Sequence, residues 1–186
     1  MSHPSGRGTP VSMHARRIAR APSNQARQRF LELSVAITGY DDAVLWGTGM
    51  VDTYLTFVLD AVGDQVTGRL LSVWHQVADA AQGDPAALDQ MLRDEVFADP
   101  TLGPVARNLI VLWYLGEWQQ LPADWRDRHG ARATDQTAFV SADAYSQGLV
   151  WDAIGAHPQA AKMPGYGSWA LPPPWSRSTA TSTSTE

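Results

Sequence analysis

The sequence predicts an all-α protein: a single bundle of five to six helices with an extended Pro/Gly/aromatic C-terminal strap and disordered termini. Three observations predict it. Apolar residues recur at three- and four-residue steps through most of 23–155. Helix-starting residues (Ser23, Asp41, Asp64, Asp84, Ser141) and terminating glycines (Gly39, Gly83, Gly155) punctuate those runs. No run alternates convincingly with period two, although Thr137–Val140 has the composition for a brief strand pairing.

In order, Ser23 caps a first helix with Phe30, Leu33 and Ile37 on one face and Gly39 just beyond its end. Asp41 or Asp42 caps a second, carrying Leu45, Val51, Tyr54, Leu55, Val58 and Leu59 and weakened early by Gly47 and Gly49. Asp64 opens a third, with Leu70, Leu71, Trp74, Val77 and Ala78 inward and Gly83 as its stop. Asp84-Pro85 starts a fourth, with Leu88, Met91, Leu92 and Val96 on its apolar face. Pro100 and Pro104 start a fifth, whose seam is Val105, Leu109, Leu112, Trp113 and Gly116. Ser141 caps a sixth through Ile154, with Tyr145, Leu149 and Ile154 on one side.

The flanks read differently. Residues 1–22 hold Pro4, Pro10 and Pro22 with no apolar periodicity and predict a disordered basic arm. Residues 23–175 form one domain that includes the strap, 156–175, and 176–186 is a disordered Ser/Thr tail. The strap combines five prolines, two glycines and Tyr166, Trp169 and Trp175. Prolines fix φ and remove donors, so this stretch is extended and held by its aromatic anchors.

With 186 residues and 44% hydrophobic side chains, the chain buries a real core. Its net charge of −5 hides an asymmetry: residues 1–29 carry six arginines and no acid, and the remainder carries −11. A basic arm on an acidic body suits a partner or intramolecular contact and argues against a nucleic-acid binder, whose folded part is normally basic. No stretch is long and apolar enough for a spanning helix. Arg16-Arg17 is a twin-arginine pair, but no apolar region follows, so no export signal is expected in this chain.

Little of the sequence points to chemistry. The absence of cysteine removes disulfides, thiolate nucleophiles and Cys-ligated clusters. The five histidines share no metal-ligand spacing. Gly47-Thr48-Gly49 lacks a third glycine and a preceding strand, so it reads as a helix irregularity. Gly165-Tyr166-Gly167-Ser168-Trp169 has the wrong order for a nucleophile elbow. The chain is therefore expected to have no catalytic residue, metal or cofactor of its own. What remains is aromatic. Trp113, Tyr114 and Trp118 stand together on and just after the fifth helix. They read either as ordinary core or as a platform on which the strap or a partner chain lies flat.

Four segments carry a resemblance. Phe30-Leu31-Glu32-Leu33-Ser34 with Thr38-Gly39-Tyr40, Leu112-Trp113-Tyr114-Leu115-Gly116-Glu117-Trp118, Ala144-Tyr145 with Gly148-Leu149-Val150-Trp151, and Lys162-Met163-Pro164-Gly165-Tyr166-Gly167-Ser168-Trp169-Ala170 occur in that order. Together they resemble the small subunit of membrane-bound FAD-dependent sugar and polyol dehydrogenases, the sorbitol, fructose and gluconate dehydrogenase type. The resemblance implies a non-catalytic accessory subunit that supports folding, stability and export of an FAD-containing large subunit of the glucose–methanol–choline type. In such complexes a multihaem cytochrome often takes the electrons. It also implies the periplasmic face of the inner membrane, while the missing apolar run after Arg16-Arg17 leaves a cytoplasmic address open. The partner-binding residues expected on this reading are Trp113, Tyr114, Trp118, Tyr145, Trp151, Pro164, Tyr166, Trp169, Pro173 and Trp175. A different reading of the same rings is a free-standing carbohydrate-binding or chaperone-like module.

Overall fold

The first helix begins where the sequence places it. Ser23 Oγ accepts from Ala26 N at 3.1 Å, and Gly39 closes the far end in the left-handed region at φ 77°. This is α1, Asn24–Thr38, in a computed structural model that describes residues 22–158. There follow α2 (Asp42–Gly47), α3 (Val51–Val62), α4 (Asp64–Ala81), α5 (Pro85–Met91) with a π turn over Leu92–Phe97, and α6 (Leu102–Leu115). The chain then runs through β1 (Glu117–Trp118), α7 (Ala123–His129), β2 (Ala138–Phe139), α8 (Ala142–Ser146) and α9 (Val150–Ala153). The protein is all-α. Residues 1–21 of the expected arm 1–22, the strap beyond Pro158 and the tail 176–186 lie outside the described residues. Among the described residues no helix is long and apolar enough to cross a membrane.

One core joins α1, α3, α4 and α6, with α1 packed on the other three. Phe30, Leu33, Tyr54, Leu55, Leu70, Leu109, Leu112 and Trp113 are all essentially without solvent contact there. Each helix of 23–115 contributes the face its spacing predicts, except that Ile37, Leu59, Ala78, Leu88 and Met91 are only half-buried.

Five local departures have physical causes. The expected second helix is two, because Gly49 takes φ 70° and the Thr48 hydroxyl donates to Leu45 O at 2.7 Å while accepting from Met50 N at 3.1 Å. The fourth helix ends as a π turn, which brings the Phe97 carbonyl against Gly103, where a Cβ would collide. Arg107 Nη2 donates to that same carbonyl at 2.8 Å. Helix α7 has one buried apolar residue, Trp125, too few for any periodicity to appear. The expected sixth helix breaks at Gly148, where a Cβ would lie 2.7 Å from Tyr114 O, and Ile154 is exposed rather than inward. Gly116 is not part of the α6 seam: it is the left-handed cap at φ 70° that turns the chain out of the helix. The brief pairing anticipated for Thr137–Val140 exists as β2, antiparallel to β1 with Glu117 opposite Phe139.

Tyr54, Thr67 and Trp74 each bury a polar atom with no hydrogen-bond partner among the described residues, and Tyr54 is the most informative of the three. The Tyr54 hydroxyl is buried with no hydrogen-bond partner among the described residues, and burial pushes its phenol far above the ordinary tyrosine range. A phenol whose value is raised on folding contributes fully below its unfolded value of about 10 and loses that contribution as pH rises toward the folded value. Tyr54→Phe removes an unpaired buried hydroxyl, so we expect it to gain about 1 kcal/mol at neutral pH. It should also flatten the loss of stability in urea melts above roughly pH 10. A destabilised Tyr54→Phe protein would show that the hydroxyl is partnered after all.

Candidate partner interface

The aromatic residues singled out in the sequence fall into two groups. Trp113 and Trp118 are 1% and 0% exposed, which removes them from any surface platform. Each indole N–H is satisfied inside the fold: Trp113 Nε1 donates to Ser34 Oγ at 2.9 Å, and Trp118 Nε1 to Asp135 Oδ1 at 2.8 Å. Trp113 packs edge-on against Tyr54 at 4.8 Å, and Trp118 lies 5.5 Å from Phe57. Large rings with a polar handle fill a core well when that handle finds a partner, and here both do.

Tyr114, Tyr145 and Trp151 are different: all three are half-buried at the carboxyl end of α6. The carbonyls at a helix C-terminus need donors from outside the helix. Leu149 N supplies one to Trp113 O at 3.0 Å, and Val140 N another to Gly116 O at 3.0 Å. The segment 138–153 is thereby docked across the end of α6. The approach is backbone to backbone, because Gly116 and Gly148 carry no Cβ to hold Ala144 and Tyr114 away.

That docking builds an aromatic ladder. Phe139 meets Tyr145 edge-on at 5.6 Å, and Tyr145 meets Trp151 in the same manner at 5.3 Å. Trp151 Nε1 donates to Tyr145 O at 2.8 Å, which fixes the indole. Beside the ladder, Tyr40 packs on Tyr114 at 6.1 Å, the Tyr114 hydroxyl donates to Thr38 O at 2.9 Å, and the Tyr40 hydroxyl to Leu149 O at 3.4 Å. Burial, followed by the neighbouring Asp152 carboxylate, raises the Tyr40 phenol above its ordinary value. Phe139 is 55% exposed, and Leu115 at the end of α6 is exposed as well. The exposed Asp143 and Asp152 carboxylates, with the half-buried Glu117, give this end of the protein an acidic character.

Tyr40 and Phe139 were not among the expected contact residues. Tyr40 directly follows the capping Gly39, a position whose side chain commonly packs back on its helix. Phe139 sits in the one segment with a hint of strand composition. Pro164, Tyr166, Trp169, Pro173 and Trp175 lie outside the described residues. Among the described residues no three His, Asp or Glu side chains cluster as a metal site would require.

Comparisons with known proteins return no match: no protein-family model, no curated protein and no solved structure matches this chain.

Proposed function

We propose that the chain is a non-catalytic accessory subunit that binds, and supports the folding of, an FAD-dependent sugar or polyol dehydrogenase of the glucose–methanol–choline type. The observation that carries the reading is the ordered ladder Phe139–Tyr145–Trp151 with Tyr40 and Tyr114 beside it. Rings already held by hydrogen bonds and neighbouring rings lose little freedom when a partner covers them, and such aromatics are what central interface contacts favour. The order and spacing of the four sequence segments supply the kind of partner. The acidic residues around the ladder suit a partner surface with arginine or lysine at its rim. FAD then belongs to the partner, and a multihaem cytochrome to the larger assembly.

Co-expression with an adjoining flavoprotein reading frame tests this. Co-elution on size exclusion and FAD-dependent dye reduction in the co-eluting fraction are expected, with an interface of at least about 1,000 Å². Phe139→Ser should weaken the complex about 30-fold or more, the scale of a single interface hot spot, while the free chain melts as before because the ring is largely exposed. Unchanged flavoprotein yield with separate elution would defeat the proposal. The competing carbohydrate-binding reading would stack sugars on Trp113, Trp118, Trp169 and Trp175; the first two are buried, and a saturable tryptophan-fluorescence response to free sugars would be needed to support it.

A further inference from the structure

A cavity of about 350 Å³ lies at the opposite kind of surface from the aromatic ladder, walled by the α3–α4 junction, the start of α6 and the end of α7. Its lining includes Arg69, Arg128, His129 and Arg132, with Val62 and Val66 as an apolar wall. No carboxylate is among the lining residues. Cationic convergence of this kind needs an explanation in a body that carries −11 outside its first 29 residues.

Counter-charges account for only part of it. Arg69 Nη2 pairs with Asp99 Oδ2 at 2.5 Å, and Arg128 Nη2 with Asp124 Oδ2 at 2.8 Å. Asp99 is also engaged by Thr101 N and Leu102 N at 2.7 and 2.8 Å. Its burial would raise the carboxyl, but those two N–H groups and Arg69 outweigh it and hold Asp99 below its ordinary value, ionised and fully occupied. Arg132 forms no ion pair with any described residue. Its guanidinium lies against Gly63, where a Cβ would be 2.8 Å from Cζ, so the missing side chain makes room for it. Gly63 also precedes the 18-residue α4 without a side-chain cap, and the next residue, Asp64, is exposed and forms no ion pair with Arg132. His129 is held in place by Thr101 Oγ1 at 3.3 Å and by the Trp125 ring at 4.6 Å.

We propose that this cavity binds the phosphate group of a small phosphorylated metabolite. Arg132, Arg128 and His129 supply donors to its oxygens, in the fork geometry that favours arginine at phosphates. The cavity exceeds what a bare phosphate fills and falls in the size range of small-molecule sites, so Val62 and Val66 are left to contact the carbon skeleton. This inference is independent of the partner-binding proposal.

Calorimetric titration of the full chain with inorganic phosphate and with glucose 6-phosphate, at ionic strength held constant with sodium chloride, tests it. Saturable binding of the ester is expected, tighter than that of phosphate. Arg132→Gln should weaken it about 10-fold or more with the unliganded melting temperature unchanged, since that side chain has no ion pair to lose. Arg128→Gln should weaken it as well. Equal affinity for both probes with the same losses would assign the site to free phosphate and overturn the metabolite. No saturable binding, or binding indifferent to both substitutions, would overturn the site altogether.

Discussion

Trp113→Ala should lower the stability of the chain by about 3–5 kcal/mol, the range for truncating a large aromatic in a packed core. The indole is 1% exposed, stands edge-on to Tyr54 at 4.8 Å and lies 6.4 Å from Phe30, so its removal opens a cavity where α1, α3 and α6 meet. It also removes the donor to Ser34 Oγ, although that hydroxyl keeps its own bond to Phe30 O at 2.7 Å. For a chain of this length the loss corresponds to roughly 6–20 °C in melting temperature. Trp113→Phe separates the two contributions: it keeps most of the ring and loses the N–H, and should fall well short of the alanine loss. Urea melts followed by circular dichroism measure both. A loss under about 1 kcal/mol for the alanine variant, the scale of a surface change, would return Trp113 to the surface role that its sequence context allowed.

Gly116→Ala has an effect of comparable size by a different mechanism, and it falls on the aromatic face. Gly116 takes φ 70°, where a side chain costs roughly 1–2 kcal/mol. An added Cβ would also lie within contact distance of the Ala144 carbonyl and 2.7 Å from Tyr145 N, both backbone atoms that cannot swing aside. The two costs together are expected to reach about 3 kcal/mol or more, or to drive the segment 138–153 off the end of α6. Either way Tyr145 and Trp151 lose their places while the α1–α4 part of the core keeps its contacts. Near-ultraviolet circular dichroism should therefore change more than the far-ultraviolet signal, and flavoprotein co-elution should be lost. A variant with wild-type melting and unchanged aromatic signal would show that the close approach of Ala144 is not required.

Much of the secondary structure was legible because helix ends are local events. Ser23, Asp41, Asp84 and Ser141 cap with their own side chains the backbone N–H groups two or three residues ahead. Those contacts need no information from elsewhere in the chain. Some departures, such as the break at Thr48 and Gly49, rest on local hydrogen bonds, while others turn on an atom beyond the run being read. Gly148 breaks a helix because of Tyr114 O, and the π turn ends where Gly103 admits Phe97 O. Both glycines are visible in the sequence; their neighbours are not.

The site divides the same way. Composition and spacing alone determined that this chain is all-α, where several of its helices start and stop, and that its aromatic residues concentrate around the end of α6. Only the tertiary structure decided which of those rings meet solvent. Trp113 and Trp118 are five residues apart, but the left-handed turn at Gly116 sends the second out of the helix and across to Phe57 and Asp135. Tyr145 and Trp151, some thirty residues further on, then cover the helix end instead. Periodicity reports which face of a helix is apolar; whether a given ring is covered depends on what the rest of the chain lays over it.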